Sequence, residues 1–174
     1  MDIHVYADAS FMLHPDRKGH TGCLVTLGMM GPCIGAKSFK QKMSVLSSTE
    51  GEVLAVFESL PLLRMAASLN KAYGYNDVPV IHQDNKSAIE MMHAGGGASK
   101  HTKHIDLRLR YIQDMIQSHS VEIQHLGTED MPADHMSKTT TGGKYVECMN
   151  AIMNGEPMTY DGENVAMYAC IRHI

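Results

Sequence analysis

Tryptophan is absent from the 174-residue chain, and aromatic residues make up only 6% of it. An extended base-stacking platform, which needs several exposed rings, is therefore not expected. A basic field is missing as well: the formal net charge is -4 and the pI is near 6.2. Any nucleic-acid contact must then be local rather than a coat of positive charge. The four cysteines, Cys23, Cys33, Cys148 and Cys170, contain no C-x-x-C spacing, so neither a zinc site nor a redox pair is suggested. A reducing, cytoplasmic setting is the default reading. No apolar run approaches the ~18 residues of a membrane span, and no basic-plus-apolar leader precedes the first strand pattern. A soluble chain follows, and its abrupt start suits a domain cut from a longer polypeptide. Internal repeats and low-complexity tracts are also missing.

What is present is enough apolar material for one core. At 174 residues and 44% hydrophobic composition, the chain accommodates a single domain and is short for two. Ile3, Val5 and Ala7 alternate with His4, Tyr6 and Asp8, the period-2 pattern of a strand. GCLVTLG (22–28) and CIGAKSFK (33–40) follow, separated by the turn chemistry of Gly31-Pro32. Short connections between these three strands imply antiparallel pairing. From Ser47 to about Asn70, Val53, Val56, Phe57, Leu60 and Leu63 form a helical core stripe. Pro61 interrupts it, and an interior proline costs ~3 kcal/mol, so a kink or break is expected near Leu60. VPVIHQ (78–83) reads as a strand, Asn85 as the cap of helix KSAIEMMHA, and the glycines at 95–97 as its stop. A helix from about His104 to Ser118, a strand VEIQHL (121–126) and a short helix with Pro132 in its first turn complete the order. Helical crossovers between strands four and five demand parallel pairing there. The fold class is α/β: a five-stranded mixed sheet, three antiparallel strands then two parallel, flanked by helices. The domain is expected over 1–154, with 155–174 an extension of unknown role. The 15 methionines read as adaptable core filler.

Four acids occupy four distinct contexts along this order: Asp8 in HVYADAS, Glu52 in LSSTEGEVLA, Asp84 in VIHQDNKSAI and Asp134 in MPADHMSK. Each has an ordinary explanation. Asp8 suits a turn, Asp84 suits a helix start, and Asp134 suits a solvated helix. Glu50 competes with Glu52, because Ser47-Glu50 and Thr49-Glu52 share the S/T-x-x-E capping-box spacing. At ~100° per residue their side chains diverge by about 160°, so only one of them can approach Asp8.

The ordered set resembles ribonuclease H: an aspartate on the first strand, a glutamate on the first long helix, an aspartate ending the fourth strand and another on the last helix. LSSTEGEVLA, HQDNKSAI, SKHTKHIDLRLRYI and TEDMPADHMSK are similar to the ribonuclease H domain that ends the Ty1/copia-type retrotransposon polyprotein. The resemblance covers about Val5 to Lys138. It implies the ribonuclease H-like fold and a metal-dependent endonuclease that cuts RNA in RNA–DNA hybrids during retroelement reverse transcription. It also maps the family glutamate onto Glu52-Val53-Leu54-Ala55, with Glu50 the alternative.

Under this resemblance Asp8, Glu52, Asp84 and Asp134 are the catalytic, metal-holding acids. Two Mg2+ ions are implied, with Mn2+ a substitute, since these hard cations prefer carboxylate oxygens. Asp8 is expected to bridge them, Glu52 and Asp84 to complete the first site, and Asp134 to hold the second. Neither His125 nor His135 matches the family's loop histidine, so no catalytic histidine is assigned. Lys100, Lys103, Arg108 and Arg110 form a basic segment suited to phosphate contact, with Asp106–Arg110 pairing on a solvated face as the alternative. Lys37, Lys40 and Lys42 offer a weaker second contact. The implied partners are the RNA–DNA hybrid, recognised through shape and 2′-hydroxyls, and a covalently linked reverse transcriptase domain; a cytoplasmic site or retroelement particle follows. The competing readings are an integrase-type DNA nuclease core, which usually places its glutamate last, and a noncatalytic nucleic-acid-binding or structural module.

Overall fold

The computed structural model describes residues 2–95, 103–138 and 146. Its sheet has the order β3-β2-β1-β4-β5, built from β1 (Ile3–Ser10), β2 (His20–Leu27), β3 (Cys33–Lys40), β4 (Val80–Gln83) and β5 (Glu122–His125). β1 pairs antiparallel with β2 and parallel with β4; β2–β3 is antiparallel and β4–β5 parallel. The expected mixed sheet is present, with β1 at its centre. That position explains why β1 is buried on both faces: Ile3, Val5 and Ala7 enter one core, while Tyr6 enters the other.

The larger core lies between the sheet and three helices, α1 (Ser48–Ala72), α2 (Lys86–Ala94) and α3 (Lys103–Gln117). α1 supplies Val53, Val56, Leu60 and Leu63 from the expected stripe, and α3 supplies Ile105, Leu109 and Ile112. A smaller core on the opposite face joins Tyr6 and Leu24 to Met131, Ala133 and Met136, around the one-turn helix α4 (Asp134–Ser137). A 3-10 turn, Thr128–Asp130, precedes α4 and was not expected from the sequence. Pro132 lies before α4 rather than within its first turn.

Local chemistry accounts for the helix ends. Asn85 accepts from the Ala88 amide at 3.1 Å, and Gly95 ends α2 in the left-handed region at φ 70°. The break expected near Leu60 does not occur, because α1 runs through Pro61 as one helix of 25 residues. Pro61 sits on the exposed side, while Leu60, Leu62 and Leu63 stay in the core. Burying three such side chains at roughly 1.5–3 kcal/mol each outweighs the ~3 kcal/mol proline penalty.

The methionine expectation holds in part. Met92, Met131 and Met136 are buried filler, whereas Met12, Met29, Met30 and Met65 are exposed. Cys23 is buried and Cys33 half-buried, both free thiols; burial pushes Cys23 up to about 12. Cys148 and Cys170, and the expected boundary at 154/155, lie outside the described residues. Among the described residues, no helix is long and apolar enough to cross a membrane.

Candidate active site

Parallel pairing of β1 with β4 sets the site. With Tyr6 opposite His82, both strands run toward the same sheet end, so Asp8 and Asp84 emerge side by side there. α1 starts at that end, over Ala9, and Glu52 in its first turns reaches down from the helical side. One carboxylate oxygen from each of Asp8, Glu52 and Asp84 lies within 4.8 Å of the others. Asp8 and Glu52 are buried and Asp84 is half-buried.

Several groups hold these acids in place. Glu52 Oε2 accepts from the Ala9 amide at 3.0 Å and from Gln83 Nε2 at 3.2 Å. Gln83 also donates to the Ala7 carbonyl at 3.3 Å and accepts from the Asn85 amide at 3.0 Å. Thr128 donates its hydroxyl to Asp84 Oδ2 at 2.8 Å, and Ser137 donates to Asp8. These three supports were missed in the sequence. All three lie in the strings that carry the resemblance, Gln83 beside Asp84 in HQDNKSAI and Thr128 and Ser137 in TEDMPADHMSK, but spacing alone gave none of them a partner.

Glu50 does something else. Its amide donates to Ser47 Oγ at 3.2 Å, and its Oε2 accepts from the Leu46 amide at 2.8 Å. This is reciprocal capping, with the donating amide, that of Leu46, one residue earlier than the Ser47 amide the spacing implied. Asp134 stands on the other face of the sheet as the first residue of α4, and Lys138 pairs with it. It is not one of the three clustered acids.

Crowding carboxylates away from water raises their proton affinity. Burial, opposed in part by the Ser137 hydrogen bond and the Lys138 charge, raises Asp8 to about 6. Burial, then the charges of Asp8 and Asp84, raises Glu52 to about 9. A divalent cation placed among them would relieve this cost by favouring the ionised form of each acid. A set of three oxygen donors, without imidazole or thiolate, has the chemistry of a hard cation site.

His125 is exposed, and its Nε2 lies 3.1 Å from the Asp84 carbonyl. In the basic segment, Lys100 and the Lys103 side chain lie outside the described residues. Arg110 pairs with Asp106 at 3.1 Å on an exposed helix face. Arg108 is half-buried, with its guanidinium 5.3 Å from the centre of the Phe57 ring. Lys40 pairs with Asp16 at 2.6 Å.

No family model matches the chain. The Retrovirus-related Pol polyprotein from transposon TNT 1-94 of Nicotiana tabacum is 30% identical over 154 residues, covering 84% of this chain and 11% of that protein. The corresponding polyprotein from transposon RE2 of Arabidopsis thaliana is 33% identical over 141 residues, covering 79% and 10%. The chain is homologous to Ty1/copia-type Pol polyproteins. It spans about a tenth of the length of these curated relatives. Among solved structures, LC11-RNase H1 in complex with RNA/DNA hybrid superposes with a TM-score of 0.59 at 14% identity, over 77% of this chain and 92% of that one. The sheet order and strand directions are those of the ribonuclease H-like fold. In this Ty1/copia-type homologue, the acids grouped by the fold are the ones in the sequence strings that carry the resemblance.

Proposed function

We propose that the chain is a metal-dependent endoribonuclease that hydrolyses the RNA strand of RNA–DNA hybrids, as the ribonuclease H domain of a retroelement Pol polyprotein. The observation that carries this reading is the convergence of Asp8, Glu52 and Asp84 within 4.8 Å. Homology to Pol polyproteins and the fold shared with a hybrid-bound ribonuclease H support it.

Asp8, Glu52 and Asp84 would hold the first of two Mg2+ ions, with Asp134 and Asp8 serving the second; Mn2+ is the expected substitute. When bound, such ions supply Lewis acidity toward a scissile phosphate. The chain's own residues prepare for this. Gln83 and the Ala9 amide fix Glu52, Thr128 fixes Asp84, and Ser137 holds Asp8. Near neutral pH Glu52, raised to about 9, would have to lose its proton to serve as a ligand, whereas Asp8, raised to about 6, is largely ionised already. Lys138 pairs with Asp134, and a cation or phosphate would compete for either partner. No side chain is required to form a covalent bond to the substrate.

Lys100, Lys103, Arg108 and Arg110 remain the proposed phosphate-contacting set; Lys103, Arg108 and Arg110 belong to α3. The partners are then the hybrid and a reverse transcriptase domain in the same polyprotein, working in the cytoplasm or within a retroelement particle. A cleavage assay on a labelled hybrid with Mg2+ tests the proposal. Wild type should cut the RNA strand and spare duplex DNA, and Asp84→Asn and Glu52→Gln should each abolish cutting. Full activity in either variant refutes the metal assignment, and cutting of duplex DNA alone favours an integrase-type core.

A further inference from the structure

Ser137 joins two parts of the molecule that the sequence holds 129 positions apart. Its side chain is fully buried at 0% exposure. The hydroxyl donates to Asp8 Oδ2 and also lies 3.1 Å from the Asp134 carbonyl. Its own carbonyl accepts the Ser10 hydroxyl at 2.7 Å, from two residues beyond Asp8. One turn of helix is thus tied to the end of β1 by two buried hydrogen bonds around a single residue. Ser38 adds a third tie, donating to the Met136 carbonyl at 2.6 Å.

Close approach makes these bonds possible. A Cβ on Gly22 would lie 2.5 Å from the Ala133 carbonyl oxygen and 2.7 Å from the Ser137 amide nitrogen, so α4 sits directly on the backbone of β2. A helix this short has little stability of its own. Its placement, and with it that of Asp134, depends on such tertiary contacts.

We infer that Ser137 is a positioning residue whose hydroxyl orients Asp8 toward bound cation and sets the spacing between Asp8 and Asp134. This rests on the proposed metal-dependent reading of the site. A hydroxyl that donates to one carboxylate oxygen leaves the other to face the cluster, and restricts the rotation that would turn both away. Groups that orient metal ligands in this manner affect affinity and turnover rather than recognition of distant substrate parts.

The test compares Ser137→Thr, which keeps the donor, with Ser137→Val, which has the same shape without it, and with Ser137→Ala. Mn2+ binding is measured by calorimetry on the full chain, melting temperature without metal by scanning calorimetry, and kcat and KM on a hybrid substrate. Ser137→Val and Ser137→Ala should bind Mn2+ roughly 10–100-fold more weakly and lose a similar factor in kcat, with KM for the hybrid nearly unchanged. Ser137→Thr should recover most of both losses at the same melting temperature as Ser137→Val. Equal Mn2+ affinity in Thr and Val variants overturns the inference, as does a loss that follows melting temperature alone. If wild type binds Mn2+ but leaves hybrids intact, the ribonuclease reading fails, and the Thr–Val contrast in Mn2+ affinity still decides the role of Ser137. Absence of Mn2+ binding by folded wild type overturns both.

Discussion

Glu52 Oε2 accepts the backbone amide of Ala9 at 3.0 Å, which fastens the first turns of α1 to the residue following Asp8. The helix and the central strand therefore share one rigid corner, and the carboxylates on either side of it cannot move apart without breaking that bond. Such a corner has a cost when no cation is present, because it holds negative groups together out of water.

The first prediction concerns pH. Glu52, raised to about 9 by burial and then by Asp8 and Asp84, keeps its proton in the fold where the unfolded chain has lost it. Between pH 7 and 9 the folded state therefore binds more protons than the unfolded one, and stability without metal should fall as pH rises. The same sign holds below that window down to the ordinary Glu52 value of 4.5, and Asp8, raised to about 6, adds to it below pH 6. His20 and His82, both lowered to about 4 by burial, oppose these carboxylates by adding stability as pH rises from about 4 to their ordinary value near 6.5. Scanning calorimetry in EDTA should thus give a melting temperature that changes little between about pH 4.5 and 6, where these contributions offset, and declines from about pH 6.5 toward pH 9. Saturating Mg2+ should remove the decline, and a metal-free melting temperature still rising between pH 7 and 9 would contradict the raised Glu52.

The two neighbouring glutamates should separate cleanly. Glu50→Ala removes the acceptor for the Leu46 amide and should cost about 1 kcal/mol, lowering the melting temperature by roughly 2–4 °C. Its Mg2+-dependent stabilisation should be intact. Glu52→Gln retains acceptors for Ala9 and Gln83, so the fold should persist with equal or higher metal-free stability. Mg2+ should no longer raise its melting temperature, and cleavage should drop by at least about 100-fold, a loss on the scale of ~2.7 kcal/mol. Similar Mg2+ responses in the two variants would return Glu50 to contention.

Gly22→Ala probes the seat of α4. Its new methyl would meet backbone at 2.5 Å and 2.7 Å, so α4 must shift or the strand must bend, at roughly 1–3 kcal/mol. Proton chemical shifts of Ser137 and Met136 should change more than those of α2, and Mn2+ affinity should fall. An unchanged affinity would mean that the position of α4 does not matter to the acids.

The two arginines of α3 should behave differently. Arg110→Ala removes an exposed charge that pairs with Asp106 at i,i+4; stability should change by about 0.5 kcal/mol or less. If the side chain tracks phosphate, the slope of log Kd against log salt should decrease by about one. Arg108→Ala instead exposes the Phe57 ring over which its guanidinium sits, and should destabilise the fold by about 1 kcal/mol through lost packing and cation–π attraction. Filter binding across a salt series, beside urea unfolding, separates the two effects.

Much of this protein is written locally. The alternation in β1, the Asn85 cap, the Gly95 stop and the Ser47–Glu50 capping pair each depend on residues within a few positions of one another, where backbone sterics and side-chain reach suffice. The order of strands and helices, and the four acids at their ends, follow from such signals together with the resemblance of the strings around them. The remainder depends on distant segments meeting. Pro61 is tolerated because Leu60, Leu62 and Leu63 are held in a core contributed by the whole sheet. Glu52 is distinguished from Glu50 physically by a Gln83 amide 31 positions away. Asp8 and Asp84 become neighbours only through parallel pairing of β1 with β4. The hydroxyl that holds Asp8 comes from Ser137, on a helix too short to form without the sheet beneath it. Periodicity and capping act over a few ångströms along the chain; desolvation, like-charge repulsion and long-range hydrogen bonds exist only once packing has brought remote residues together.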